Sequence, residues 1–186
     1  MLAHPAPGGS IVSVIGVAAW LLVACSPTHN WREVRPEGAS AEVLLPCKAV
    51  QSRREVVIAG VPTTVRLAAC TTAGRTWAVA EVLLLPTQDV ALLMRALRDT
   101  AAANLQATTA AEGAAAAQWP PQAADRLPEA GLWRLTGRRP DGSAVQMQLG
   151  LAARGRSIVQ LSVIGSTPAP VEATETFLSS LRWLPA

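Results

Sequence analysis

No Asp, Glu, Lys or Arg occurs before Arg32, and within that window Ile11 to Ala24 (IVSVIGVAAWLLVA) is apolar or small except for Ser13, and it ends at Cys25. Such a run cannot sit on the surface of a globule. Spanning a bilayer takes about 20 apolar residues, more than this run supplies. An apolar run of about 7–15 residues followed by small residues is the form of a secretory signal. The chain therefore divides into a leader, 1–24, a short polar tether, 25–30 (CSPTHN), and a single domain, 31–186, that holds every charged side chain.

The end of the leader, Leu22-Val23-Ala24-Cys25, resembles the lipobox of bacterial lipoproteins. The resemblance implies that Cys25 becomes the acylated first residue of the exported chain, carrying several fatty acyl chains including palmitate. One acyl chain holds a protein to a bilayer marginally, whereas several hold it firmly. Ser26 after the Cys, in place of Asp, implies sorting to the outer membrane. With only His4 and the amino terminus to supply positive charge ahead of the run, an uncleaved anchor and a plain cleaved signal stay open as alternatives.

Export governs how the other cysteines are read. Cys47 and Cys70 form an even pair in an oxidising compartment, so a disulfide is expected, with two buried thiols as the alternative. A bridge closing a loop of about 24 residues would stabilise the fold by about 3.5 kcal/mol. The pair has no CxxC spacing, and His29 in the tether is the only other His besides His4, so a zinc site is short of ligands. A net charge of +3, from 16 Lys+Arg against 13 Asp+Glu, does not make nucleic acid an expected partner. With half its residues hydrophobic, the chain is no disordered polyelectrolyte.

Strands outnumber helices in the pattern. Ala41–Leu45, Glu55–Ile58, Thr63–Thr71 and Arg75–Leu85 read as strands, with Ala59-Gly60-Val61-Pro62 and Thr72-Ala73-Gly74 as turns. Trp77, Val79 and Glu81 share one face. A meander follows: Leu132–Arg138, Ala144–Ala153 and Ser157–Ile164, turned at Pro140-Asp141-Gly142 and Arg154-Gly155. In its middle strand Val145, Met147, Leu149 and Leu151 alternate with Gln146, Gln148 and Gly150, which predicts one buried and one wet face. Two helices are expected. The first, Asp89–Leu105, has Asp89 as N-cap and Val90, Leu93, Met94, Leu97, Ala101 and Leu105 inward. The second, Pro168–Leu181, has Ser166 or Thr167 as cap, Glu172 and Glu175 near its positive end, and Val171, Thr174, Leu178 and Leu181 inward. Between them Gln106–Ala130, rich in Ala and interrupted by Trp119-Pro120-Pro121, reads as a surface excursion. The fold class is α+β: an antiparallel sheet with two main helices packed on it.

Several stretches together resemble a family of bacterial envelope domains related to the photosystem subunit PsbP and the lipoprotein DcrB. They are Trp31-Arg32-Glu33-Val34, Ala41-Glu42-Val43-Leu44-Leu45-Pro46, the Thr76–Ala80 strand, Ile158–Val163 and Phe177–Leu181. Where such relatives often have Gly after Leu-Leu-Pro, this chain has Cys47, which fits a locally acquired disulfide. The resemblance implies an antiparallel sheet with helices upon it and implies no chemistry.

No nucleophile elbow, HExxH, phosphate loop, dinucleotide fingerprint or CxxC is present, so neither an enzyme nor a cofactor is expected. The closest carboxylate pairs are Glu33 with Glu37 and Glu172 with Glu175; a hydrolase built on them is the weakest reading. Arg53-Arg54 and Arg138-Arg139 are basic pairs able to contact anionic lipid or polysaccharide, although isolated pairs are usually solvated surface. Trp77, Trp133 and Trp183 are expected in the core. Trp119 either clamps its loop to the domain or anchors a partner. The expected function is that of a non-enzymatic lipid-anchored envelope protein, probing the periplasm with a binding or assembly domain. Its partners would be membrane lipid, through acylated Cys25, and an envelope protein or anionic envelope polymer. The alternative is a periplasmic small-ligand module with a pocket near Met94 and Met147.

Overall fold

The computed structural model describes residues 1, 29–111, 119 and 121–185. The leader, Cys25 and the start of the tether lie outside the described residues.

Among the described residues ten strands and two helices follow in order: β1 (Arg32–Val34), β2 (Ala41–Leu45), β3 (Val50–Ile58), β4 (Val61–Thr72), β5 (Arg75–Leu83), α1 (Val90–Asn104), β6 (Thr108–Ala111), β7 (Gly131–Arg138), β8 (Ala144–Arg154), β9 (Ser157–Gly165), α2 (Val171–Ser179) and β10 (Arg182–Trp183). Seven strands form one antiparallel sheet in the order β3-β4-β5-β9-β8-β7-β6, and β1-β2-β10 form a small second sheet. The fold is α+β, as the pattern predicts.

Both faces of the large sheet are covered, because alternate residues of its central strands are apolar on each side. On one face Val82, Leu135, Leu149, Leu151 and Ile158 pack with Leu93 and Met94 of α1. On the other, Trp77, Val79, Val159, Leu161 and Val163 pack with Val43 and Leu45 of β2 and Phe177 and Leu178 of α2. The sheet is thus the middle of three layers. The expected wet face of β8 is wet only in part. Gln146 and Gln148 are half-buried, and Gly150 lies beneath Trp119, whose ring would sit 3.2 Å from a Cβ at that position.

Local chemistry explains the element ends and corrects several expectations. Asp89 caps α1, its carboxylate accepting from Leu92 N at 2.9 Å. Neither Ser166 nor Thr167 caps α2; Pro170 holds that position, with no side-chain cap. The reason is steric: a residue before proline is driven out of the helical region, and here Thr167 precedes Pro168 and Ala169 precedes Pro170. Thr167 instead accepts from Arg75 Nη2 at 2.8 Å. The later start turns Val171 outward, 70% exposed, while Thr174, Leu178 and Leu181 are buried as expected.

The β3–β4 turn is also shorter than expected. Ala59 and Gly60, both at positive φ, form the whole loop, and Val61 and Pro62 already pair with Ile58 and Val57. Pro62 is tolerated there because β4 has run past β5, whose pairing reaches only Val65. The excursion expected over 106–130 contains a strand, since β6 pairs with β7 from Thr108 opposite Thr136 to Ala111 opposite Trp133. Further along, Trp119 is buried and its Nε1 donates to Leu151 O at 2.7 Å, so it clamps this segment to the domain.

Candidate functional site

Cys47, just past β2, forms a disulfide with Cys70 of β4, with Cα atoms 5.8 Å apart. The bond ties the small sheet to the large one at the base of the β3–β4 hairpin. Replacing both cysteines by Ala should cost about 3 kcal/mol, read in thermal unfolding as a fall in Tm of roughly 6–12 °C. A reductant added to the native protein should give a similar fall. Identical melting with and without reductant would show that the sulfurs are not paired.

Beside this corner the β1–β2 turn is fastened to the sheet. The Glu81 carboxylate, 1% exposed, accepts from Ser40 N at 3.0 and 2.9 Å and from the hydroxyls of Ser40 and Ser157. Gln51 makes a second fastening, accepting from Glu37 N at 2.7 Å and donating to Arg35 O at 3.2 Å. Gly38, at φ +71°, gives the turn a conformation that side chains resist, and leaves the Arg66 guanidinium lying over it. An open cavity of about 420 Å³ results, lined by Glu37, Gly38, Gln51, Ser52, Arg53 and Arg66. Two arginines from neighbouring strands face it. In chemical terms it is a donor-rich recess suited to an anion, with one carboxylate, Glu37, on its rim.

A second cavity of about 230 Å³ lies against the start of α2, among Arg75, Arg134, Gln146, Gln148, Val163 and Ala169. A smaller one of about 80 Å³ continues it, sharing Arg134, Gln148 and Val171. The buried Oε1 of Gln148 has no hydrogen-bond partner among the described residues. These cavities and the Arg-lined recess open on the face opposite α1. Of the two methionines at which a pocket is expected, Met94 is fully buried against Leu93, Leu149 and their neighbours, while Met147 lines the cavity beside α2.

The remaining sequence candidates are dispersed. Arg53 and Arg54 do not act as a pair, because adjacent strand residues point to opposite faces. Arg138 and Arg139 are spent on their own hairpin, donating to Gly142 O at 2.9 Å and to Ala144 O at 3.3 Å. In that turn the Ser143 hydroxyl, donating at 2.6 Å, is the chief cause holding the Asp141 carboxyl below the ordinary carboxylate range; the Ser143 amide and the Arg139 charge add to it. Glu33 pairs with Arg182 at 2.6 Å, while Glu37 lines the recess and is not drawn into that pair. Glu172 lies in the first turn of α2, and Glu175 lines the smallest cavity. Trp77 is fully buried; Trp133 and Trp183 are half-buried, with the Arg98 guanidinium 5.8 Å over the Trp133 ring. His29 is not free in a solvated tether: it packs 5.6 Å from Trp31 and 5.9 Å from Trp77, and Asn30 N donates to Pro46 O at 2.8 Å.

Sequence reasoning missed the Glu81 fastening and the Arg53–Arg66 recess. Their signals were an acid on the same strand face as Trp77 and Val79, and the length of the β3–β4 turn. Among the described residues, no three His, Cys, Asp or Glu side chains are placed to hold a metal ion, and no helix is long and apolar enough to cross a membrane. No family model matches the chain, and no curated protein is significantly similar to it.

Proposed function

We propose that this chain is a non-enzymatic lipoprotein of the bacterial envelope, held in the outer membrane by acylated Cys25. Residues 31–186 are then a PsbP/DcrB-like binding or assembly domain in the periplasm. One observation carries the reading: Leu22-Val23-Ala24-Cys25 stands at the end of the 11–24 apolar run. The Cys47–Cys70 bond supports it, because such a bridge persists in an oxidising compartment. The docking of His29 and Asn30 supports it too, since it leaves only a few residues between Cys25 and the folded domain. That spacing would hold the domain close to the membrane surface.

Cys25→Ala should abolish incorporation of labelled palmitate and move the protein from the membrane to the soluble envelope fraction or leave it unprocessed. Undiminished labelling, or a natural protein still beginning at Met1, would refute the anchor.

The cavity beside α2 favours a second reading, a periplasmic module for a small ligand, because Gln148 presents it with an unpartnered acceptor.

A further inference from the structure

The geometry points to the recess between the β1–β2 turn and the β3–β4 hairpin as a phosphate-binding site, with Arg53 and Arg66 as its ligating side chains. Register brings the two together, since Arg53 stands directly opposite Arg66. Like charges directly opposite on paired strands repel, so an arrangement of this kind calls for an anion between them. The protein supplies little of one. Arg53 has no hydrogen-bond or ion-pair partner among the described residues, and Arg66 has only the Glu81 carboxylate, at 3.9 Å. That carboxylate is already engaged by the Ser40 amide and by two hydroxyls. Glu37 is the one carboxylate among the lining residues, set against two guanidinium groups.

The choice of phosphate follows from geometry. A carboxylate offers two coplanar oxygens, which one guanidinium fork engages side by side. Two guanidiniums arriving from different strands present donors in more than one plane, which suits the oxygens of a tetrahedral oxyanion better than those of a flat one. The recess is open on one side, so the phosphorus can carry an ester group that projects into solvent. Its source is either a soluble phosphate or phosphoester, or a phospholipid headgroup. The site does not depend on the Cys25 anchor: either can fail with the other intact.

The test uses the full chain purified in a non-ionic detergent, titrated separately with inorganic phosphate, glycerol phosphate and dihexanoyl phosphatidylglycerol. Amide resonances of Gly38, Ser52 and Arg53 report binding. Saturable shifts with phosphate or glycerol phosphate, with a Kd on the order of 1 mM, assign the site to soluble phosphates. Shifts only with the short-chain lipid assign it to headgroups. In either case Arg53→Gln should weaken binding by about tenfold, whereas Arg54→Gln, on the opposite face of the same strand, should leave it unchanged. Arg53 is exposed, so its replacement leaves the fold standing. No saturable response to any of the three probes, or equal responses in the two variants, would overturn the proposal.

Discussion

Glu81→Ala should destabilise the domain by about 2–4 kcal/mol, measured as a fall in the urea midpoint at unchanged slope. The size of the effect lies in what the carboxylate leaves behind. Removing it strips the acceptor from the Ser157 hydroxyl, 5% exposed, and from the amide and hydroxyl of Ser40, an exposed residue whose hydroxyl can turn to water, and it empties the space of the buried side chain. A buried donor without an acceptor costs about 1–3 kcal/mol. The two hydroxyls stand 3.2 Å apart and can partly satisfy each other, so the losses do not simply add. Arg66 adds little, because its partly exposed head can turn to water. Glu81→Gln, which keeps the volume and one carbonyl acceptor but aims an amide donor at donors, should cost about half as much. A loss below about 1 kcal/mol for Glu81→Ala would mean that the β1–β2 turn is held by Gln51 and not by this acid. Since Ser40 belongs to the turn that bears Gly38 and Glu37, the same variant should loosen one wall of the Arg53–Arg66 recess.

The meanders and both helices were legible because their apolar residues recur at the spacing of the element that buries them. The β8 positions Val145, Met147, Leu149 and Leu151 are all buried, and α1 starts where Asp89 can cap it. What escaped had no burial to announce it. The first half of β3, Val50 to Arg54, is an edge exposed on both faces, so nothing selects an apolar residue at alternate positions. In β6, Thr108–Ala111, small residues carry no alternation, and pairing with β7 alone defines the strand. The arginine recess was hidden by register. A four-residue turn over Ala59–Pro62 would put Ile58 opposite Thr63 and Arg53 opposite Ala68. The two-residue turn puts Ile58 opposite Val61 and Arg53 opposite Arg66. Turn length decides which side chains meet along the whole hairpin, and Pro62 drew the reading toward the longer turn. Glu81 was placed on the correct face, yet its partners come from a turn and a strand end that no periodicity links to it.

Trp77→Ala should cost about 3–5 kcal/mol, or a fall in Tm of roughly 6–20 °C, and Trp77→Phe much less. The Trp77 ring has no solvent exposure and meets Phe177 edge to face, with centroids 5.6 Å apart and planes at 87°. Trp31 meets it in the same manner at 6.1 Å, and His29 lies at 5.9 Å. Such pairs contribute about 0.5–1.5 kcal/mol beyond the area they bury. Alanine would empty the junction at which the leading segment, β5 and α2 meet, and the sheet beneath has no spare side chain to fill it. The indole carries a cost of its own, because its buried Nε1 has no hydrogen-bond partner among the described residues. Phenylalanine removes that orphan donor, worth about 1–3 kcal/mol when unpaired, and gives up the remainder of the bicyclic ring. The two changes oppose each other, so Trp77→Phe should cost less than about 2 kcal/mol. Thermal unfolding of both variants checks this: each removes the unpaired donor, so the difference between them reports the ring that Phe keeps, and equal losses would mean that the ring contributes nothing to the junction. Because His29 and Trp31 rest on Trp77, its truncation should release the leading segment from the sheet, which faster proteolysis after Arg32 would reveal.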